Sequence, residues 1–418
     1  MVSAMCSNDD GPMRCRTKSV GRRFPGPVFN TQANSTQRKR MRILLTLHHY
    51  LDADKGAAGV TLGLGTALAA AGCEVEYFAY DQAFGGAGDA GGVDYALQFP
   101  WRTAAFLKRH AHRFDVVDAS TGDAWVWAAM GRPGAKRPSV LAVRSHGLEH
   151  SHDRAHRADV RRNKQKLGKK YPFYHGGYRL WEVAQSLRRA DCCFLLNHND
   201  QMFAHQKLGV PAARLTVLPN GIADTFQQEP PAFPGVGPLR LAFVGIWLPN
   251  KGIRAMTAAA ARWVAAGLDF HLTLLGTGLD TAAVLADFAP AARRFVQVVP
   301  RYANRDLPAL LAGQEVLLFV SLSEGFGLSL IEGMACGLAP VATPVGAAPE
   351  AVQSGINGTI IPLDSGEALA EAVLNMAGNR NQLLQMRRLA HETARRYRWS
   401  IIAAQTLSIY KAHLASQT

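Results

Sequence analysis

From Met41 onward the chain alternates short, almost wholly apolar runs with longer stretches in which apolar residues return every three or four positions. The short runs are Ile43–Leu47, Val75–Tyr80, Val116–Asp118, Val140–Val143, Cys192–Leu196 and Thr216–Leu218. A strand covered on both faces has no polar side to show, so such runs predict strands of parallel sheets, and the helical stretches between them predict the crossovers. The first of these helices is Val60–Ala71, an Ala/Leu/Gly segment closed by Gly72, where glycine suits a left-handed C-cap. A second series of runs follows: Leu239–Val244, His271–Leu275, Phe295–Val299, Val316–Val320, Ala339–Ala342 and Gly358–Ile361. The fold class is therefore α/β, with two Rossmann-like, doubly wound domains.

Between the two series lies E-P-P-A-F-P-G-V-G-P, residues 229–238, the clearest linker in the chain. This divides the protein into an N-terminal Rossmann-like domain over 41–228 and a C-terminal one over 239–395, with a final helix over 396–418. Residues 1–40 are rich in Arg, Ser, Pro, Asn and Gln with no apolar core, and are expected to be a disordered basic tail. They read as an extension upstream of a start at Met41 more readily than as a transit peptide, because Asp9 and Asp10 interrupt them. No apolar run approaches the ~20 residues that span a bilayer.

Charge changes the picture by its placement. The net +14 comes from 46 basic and 32 acidic residues. Residues 1–40 hold eight Lys/Arg against two Asp, and residues 151–189 hold eleven against Asp153, Asp159 and Glu182, so these segments carry the whole excess. A neutral body with two basic segments is poorly suited to nucleic acid, and an anionic membrane or acceptor fits better. The six cysteines form no C-x-x-C pair, which excludes the usual zinc and disulfide frameworks and suits reduced thiols in the cytoplasm.

The strongest candidate chemistry is S-L-S-E-G-F-G-L-S-L-I-E, residues 321–332, after the strand run Val316–Val320. A strand ending in Gly-x-Gly before a Leu-rich helix is a tight turn, and it aims the amides of Gly325, Phe326, Gly327 and Leu328 at whatever lies above the strand. An anion such as a diphosphate suits that place. Glu324 in the loop and Glu332 about one turn into the helix flank it, and carboxylates accept hydrogen bonds from sugar hydroxyls. Glutamate, seven residues, glutamate resembles the donor motif of the retaining glycosyltransferases of family four, which have the two-Rossmann GT-B fold with both sheets' C-terminal ends facing a cleft. The resemblance spans about residues 41–410 and is most specific over 316–362.

It extends to three further elements. Gly245-Ile-Trp-Leu-Pro-Asn-Lys251-Gly252 is similar to the second donor element, in which a lysine reaches the diphosphate. His146-Gly147, after the run ending at Val143, is similar to the histidine-glycine pair that meets the transferred sugar. Lys55-Gly56-Ala-Ala-Gly59 is a partial match to the loop facing diphosphate and acceptor, which makes Gly56 a candidate contact. The chain departs from the family at Ile246, where many members carry an arginine, and Arg301 is a candidate replacement. Segment 397–410 is similar to the family's helix that crosses back to the N-domain.

Other motifs carry less. Asp52-Ala-Asp54 spells the D-x-D of a different glycosyltransferase fold, and Gly276-Thr-Gly278 lacks the third glycine of a dinucleotide site. His146, His150, His152 and His156 have no H-E-x-x-H frame, so no metal is assigned. The resemblance thus implies a hexose-type transfer from a nucleotide-diphosphate sugar, a co-substrate rather than a cofactor, to a glycan, polysaccharide or lipid-linked acceptor. Glu324, His146 and Lys251 take the catalytic positions, and Gly325–Leu328, Glu332 and Gly56 bind the donor. The expected place is the cytoplasm, with residues 151–189 contacting the inner, anionic face of the membrane. An epimerase of the same architecture and a non-catalytic sugar or polyanion binder stay open from the residues alone.

Overall fold

A computed structural model describes residues 40–85, 92–162, 167–227 and 237–417. The expected basic tail, save Arg40, and most of the expected linker lie outside these residues. Two six-stranded, all-parallel sheets make up the body. The first joins β1 (Arg42–Leu47), β2 (Glu74–Ala79), β3 (Val116–Ser120), β4 (Val140–Arg144), β5 (Cys192–Leu195) and β6 (Leu215–Val217) in the order β2-β1-β3-β4-β5-β6. The second joins β7 (Leu239–Val244), β8 (Phe270–Leu275), β9 (Val296–Val299), β10 (Val316–Phe319), β11 (Ala339–Ala342) and β12 (Thr359–Ile360) in the order β12-β11-β10-β7-β8-β9. Both orders reverse direction at the first strand, as doubly wound sheets do, and the α/β class read from the apolar runs holds.

The predicted strands fall within one or two residues of the observed ones. Tyr80, read as the end of a strand, instead opens the short helix Tyr80–Phe84. The first helix begins at Gly56, four residues before the apolar pattern does, because its first turn is glycine and alanine with little hydrophobic signal. β1, β3, β4 and β5 are buried from end to end apart from Arg42, which explains their unbroken apolar composition.

The last helix, Trp399–Ala415, packs on the first sheet: Ile402, Ala403, Leu407 and Tyr410 share one core with Ile43, Leu45, Leu64 and Phe194. Two glycines make room for Trp399 at the start of this helix, since a Cβ at Gly63 or Gly221 would lie 2.5 or 2.4 Å from its ring. Inside the sheet, Arg144 and Asp118 form a buried pair at 2.9 Å, and Tyr410 donates its hydroxyl to the same carboxylate. A polar group in that position tolerates burial only when paired.

Candidate functional site

The C-terminal half builds its rim from two loops at adjacent strand ends. After β7, Gly245 leads into Trp247, which is buried between Phe243 and Phe288 and donates its indole N–H to Asp287 at 2.7 Å. This anchor leaves Pro249–Lys251 to make one short turn, closed by Gly252 in the left-handed region (φ 75°). A Cβ there would stand 2.0 Å from the Val320 carbonyl oxygen, so only glycine lets the loops approach. The Leu322 amide then donates to the Asn250 carbonyl at 2.7 Å, tying the β10 loop to the β7 loop.

This brings Lys251 and Glu324 together: Nζ to Oε1 is 2.5 Å, and Ser321 Oγ donates to the same oxygen at 2.7 Å. Gly327, at φ 83°, precedes the helix Leu328–Ala335, and a Cβ on it would strike the Phe319 ring. Phe326 is buried with its carbonyl accepting from the Ala347 amide, so the turn is held on both sides. The first amides of a helix have no carbonyl within the helix to receive them, which makes such a helix start suited to an anion. Glu332, only 9% exposed, has its carboxyl pushed up to about 7 by burial. Tyr302 stands close enough for Glu332 to hold up its phenol, after burial itself, at about 12, and its ring covers Gly276.

The N-terminal half contributes His146 from the end of β4. Ser120 spends its single hydroxyl proton on the Thr46 carbonyl at 3.0 Å, so the 3.1 Å contact between Ser120 Oγ and His146 Nε2 must use the imidazole proton. That fixes His146 as the Nε2–H tautomer and leaves Nδ1 a bare, buried acceptor without a hydrogen-bond partner among the described residues. Burial, with His48 and Arg144 adding to it, lowers its pKa to about 3, so the ring is neutral. His146-Gly147 meets the donor motif directly: a Cβ on Gly147 would lie 2.6 Å from the Gly325 Cα, and one on Gly325 the same distance from the His146 carbonyl oxygen. Asn197 Nδ2 also donates to the Gly325 carbonyl at 3.5 Å.

Thus His146, Lys251, Glu324 and Gly325–Leu328 converge, and Glu332 lies one helical turn behind them. Gly56 opens a helix with space around it and touches none of these groups. Asp52 pairs with Lys55, and Asp54 accepts from the Asn304 amide at 3.3 Å, so the D-x-D residues are spent on local and cross-domain contacts. Ile246 is 55% exposed at the rim, and Arg301 is exposed as well.

Sequence reasoning missed a network beside His146. Asp123 takes the Thr46 hydroxyl at 2.8 Å and the His48 Nδ1 at 2.7 Å, while Arg179 Nη2 reaches His48 Nε2 at 3.1 Å, the Thr121 carbonyl at 2.8 Å and Glu149 at 2.8 Å. Burial, opposed by Thr46 and Arg179, raises Asp123 to about 7, and burial with Arg179 lowers His48 to about 3. Burial would raise Glu149 as well, but the Arg179 guanidinium, a backbone hydrogen bond, His48 and the Thr121 hydroxyl together hold it below the usual carboxylate range. His48 at the end of β1 and Asp123 just past β3 both sit where open α/β sheets place ligands, the one signal that could have found them. The basic segment is also corrected in part: Arg179 is internal, and Arg157 is paired with Asp153 at 2.8 Å.

Two family matches divide the chain at the same place as the sheets. Residues 55–226 match Glycosyltransferase Family 4 and residues 238–379 match Glycosyl transferases group 1. Among curated relatives, the alpha-maltose-1-phosphate synthase of Mycolicibacterium smegmatis is 28% identical over 188 residues, covering 41% of this chain and 47% of that protein. The D-inositol 3-phosphate glycosyltransferase of Saccharomonospora viridis is 30% identical over 186 residues, 42% of this chain and 43% of that one. The chain therefore spans under half the length of these relatives. Among solved structures, sucrose-phosphate synthase from Thermosynechococcus elongatus superposes with a TM-score of 0.74 at 20% identity, covering 90% of this chain and all of that one. HepE from Anabaena, solved with UDP, gives 0.64 at 16% identity over 89% of this chain and 100% of that one. These structural likenesses fix the fold as GT-B.

Proposed function

Because the chain belongs to the family-four, group 1 glycosyltransferases, we propose that it moves a hexose-type sugar, with retention, from a nucleotide-diphosphate sugar to a glycan, polysaccharide or lipid-linked acceptor. The observation that carries this reading is the Lys251–Glu324 pair at 2.5 Å set against His146-Gly147 from the other half. HepE is solved with UDP-glucose, which supports a uridine diphosphate donor.

In this reading the Gly325–Leu328 amides and Lys251 hold the diphosphate. Lys251 enters the site already paired, so the donor's phosphates compete with Glu324 for its ammonium and free that carboxylate to take sugar hydroxyls. The bare Nδ1 of His146 accepts from one more hydroxyl, and Glu332 holds the ribose. The bond from the anomeric carbon to the diphosphate oxygen breaks with its electrons leaving on the nucleoside diphosphate, where Lys251 and the helix amides stabilise them. The acceptor oxygen bonds the same carbon from the same face and passes its proton to the departing phosphate. No metal or other cofactor is assigned a role.

Incubation with UDP-glucose and a panel of acceptors tests this. Release of UDP that requires acceptor, with an α-linked product by NMR, is the expected result. A β-linked product overturns retention, and conversion of the donor sugar without acceptor favours an epimerase.

A further inference from the structure

We propose that the turn Lys169–Phe173 is a docking tip for an anionic lipid bilayer, a property separate from the transfer reaction. Phe173 is 80% exposed, more than any other large hydrophobic residue among those described, and Lys169, Lys170 and Pro172 beside it are exposed too. The turn is built rather than loose. Tyr171 packs on His156 with ring centres 4.8 Å apart, and the Tyr178 amide donates to the Phe173 carbonyl at 3.1 Å. Behind the tip runs a continuous row of rings: Tyr174 to Tyr178 at 6.5 Å, Tyr178 to Trp181 at 5.8 Å, Trp181 to Trp125 at 4.9 Å and Trp125 to Trp101 at 6.2 Å. Trp101 and Trp181 are 59% and 46% exposed.

Three features select a bilayer as the occupant. First, the acidic side chains described in 151–189, Asp153 and Glu182, are both buried, one on Arg157 and the other on the Trp125 indole, so among the described side chains of this segment the charges that face solvent are cations. Second, the apolar group protrudes at the tip of a turn with cations beside it, a shape that inserts at the headgroup boundary while the lysines stay among the headgroups. Third, Trp and Tyr have an apolar body with a polar edge and favour the headgroup layer, into which lysines lend their charge. Among the described residues no helix is long and apolar enough to cross a membrane, so the contact is peripheral. Arg179, which directly follows Tyr178 of this row, reaches Glu149 at 2.8 Å, so the surface runs up to the N-terminal rim of the site.

The test uses the full chain with vesicles of phosphatidylcholine, alone and mixed with phosphatidylglycerol, and needs no catalysis, so it stands or falls apart from the transfer reading. The protein is expected to sediment with mixed vesicles, to ignore neutral ones, and to be released as salt shortens the Debye length to about 8 Å and below. Lys169→Ser and Lys170→Ser should each lower partitioning about fivefold, as removal of one cation near an anionic leaflet does. Phe173→Ser should lower it about tenfold through lost apolar insertion. All three positions are exposed, and unchanged melting shows that each variant folds. The proposal is overturned if the parent chain ignores mixed vesicles at low salt, or if the three variants partition like the parent, which would move the contact to another face. Retention on dextran sulfate with no vesicle binding also overturns it, in favour of a soluble polyanion.

Discussion

The two rims that meet at Gly147 and Gly325 hold their charges in opposite ways. On the C-terminal side a few groups sit at the end of short glycine turns: one ion pair, Lys251–Glu324, whose side chains remain 25% and 14% exposed, and one buried carboxyl, Glu332. On the N-terminal side Asp123, His48, Arg179 and Glu149 are locked into one network with contacts of 2.7–3.1 Å. The first arrangement can release its lysine to a ligand at small cost, since a partly solvated pair contributes little to folding. The second cannot release Arg179 without stranding two carboxylates in the interior. Pre-organisation on one side and exchangeability on the other suit a donor that arrives with its own negative charge.

The largest effect should come from breaking the buried side. Arg179→Ala should destabilise the protein by about 3–5 kcal/mol, the range for removing one member of a buried charged network. Denaturant unfolding would show it, and a loss below about 1 kcal/mol would mean that Arg179 behaves as a surface residue. Lys251→Ala should do the reverse. Its unfolding midpoint should stay close to the parent's, while kcat/KM for the donor falls by about 2–4 kcal/mol of transition-state stabilisation, as loss of a cation at a developing anion does. A variant with parental kinetics would remove Lys251 from the site.

Glu332 and Asp123 sharpen the contrast, because burial raises both carboxyls to about 7 against different opposition. Glu332 is raised by burial alone, whereas burial of Asp123 is opposed by Thr46 and Arg179. A carboxyl with a higher pKa folded than unfolded binds its proton more tightly in the native state. That stabilisation is full below the unfolded value of 4.5 and is lost as pH rises through about 7. Glu332→Gln, permanently neutral, should therefore match the parent in melting temperature near pH 4.5 and exceed it above pH 7. The same change should weaken nucleotide binding if the carboxylate holds the ribose. In the parent, donor affinity should decline as pH drops below about 7, a dependence the variant should lack. Equal melting of the two proteins at pH 8, roughly one unit above the shifted value, would show that Glu332 is solvated.

What was legible in the chain follows the same division. The turn of the C-terminal rim could be read because Ser321–Glu332 is contiguous and spelled by glycines, and the strands could be read because burial on both faces leaves them almost wholly apolar. The N-terminal network was not legible, because its members are 75 and 131 residues apart along the chain and only the sheet brings them together. Arg179 shows the limit most clearly. Within a run of basic residues it looks like surface charge, yet the turn Tyr174–Tyr178 rotates it inward, where Thr121, Glu149 and His48 receive it. Tyr410 and Asp118 are 292 residues apart, and nothing local in either marks the buried pair.

The smallest expected effect bears on the side with fewest charges. Many family members carry an arginine where this chain has Ile246, and Lys251 is already shared with Glu324, so in the proposed reading the C-terminal rim is poor in cations for two phosphates. Ile246 is 55% exposed, and even a Cβ on Gly278 would stand 3.7 Å from its Cγ2, so a longer side chain there can extend into solvent. Ile246→Arg should tighten UDP binding by about 1 kcal/mol, roughly fivefold in Kd, the worth of a charge-assisted contact at a solvated rim. The gain should shrink as salt rises, because the new contact is exposed. Calorimetric titration with UDP at low and high salt would measure it. An unchanged Kd at low salt would mean that the loop after β7 points this side chain away from the phosphates, and that the isoleucine marks a different course of the loop rather than a missing charge.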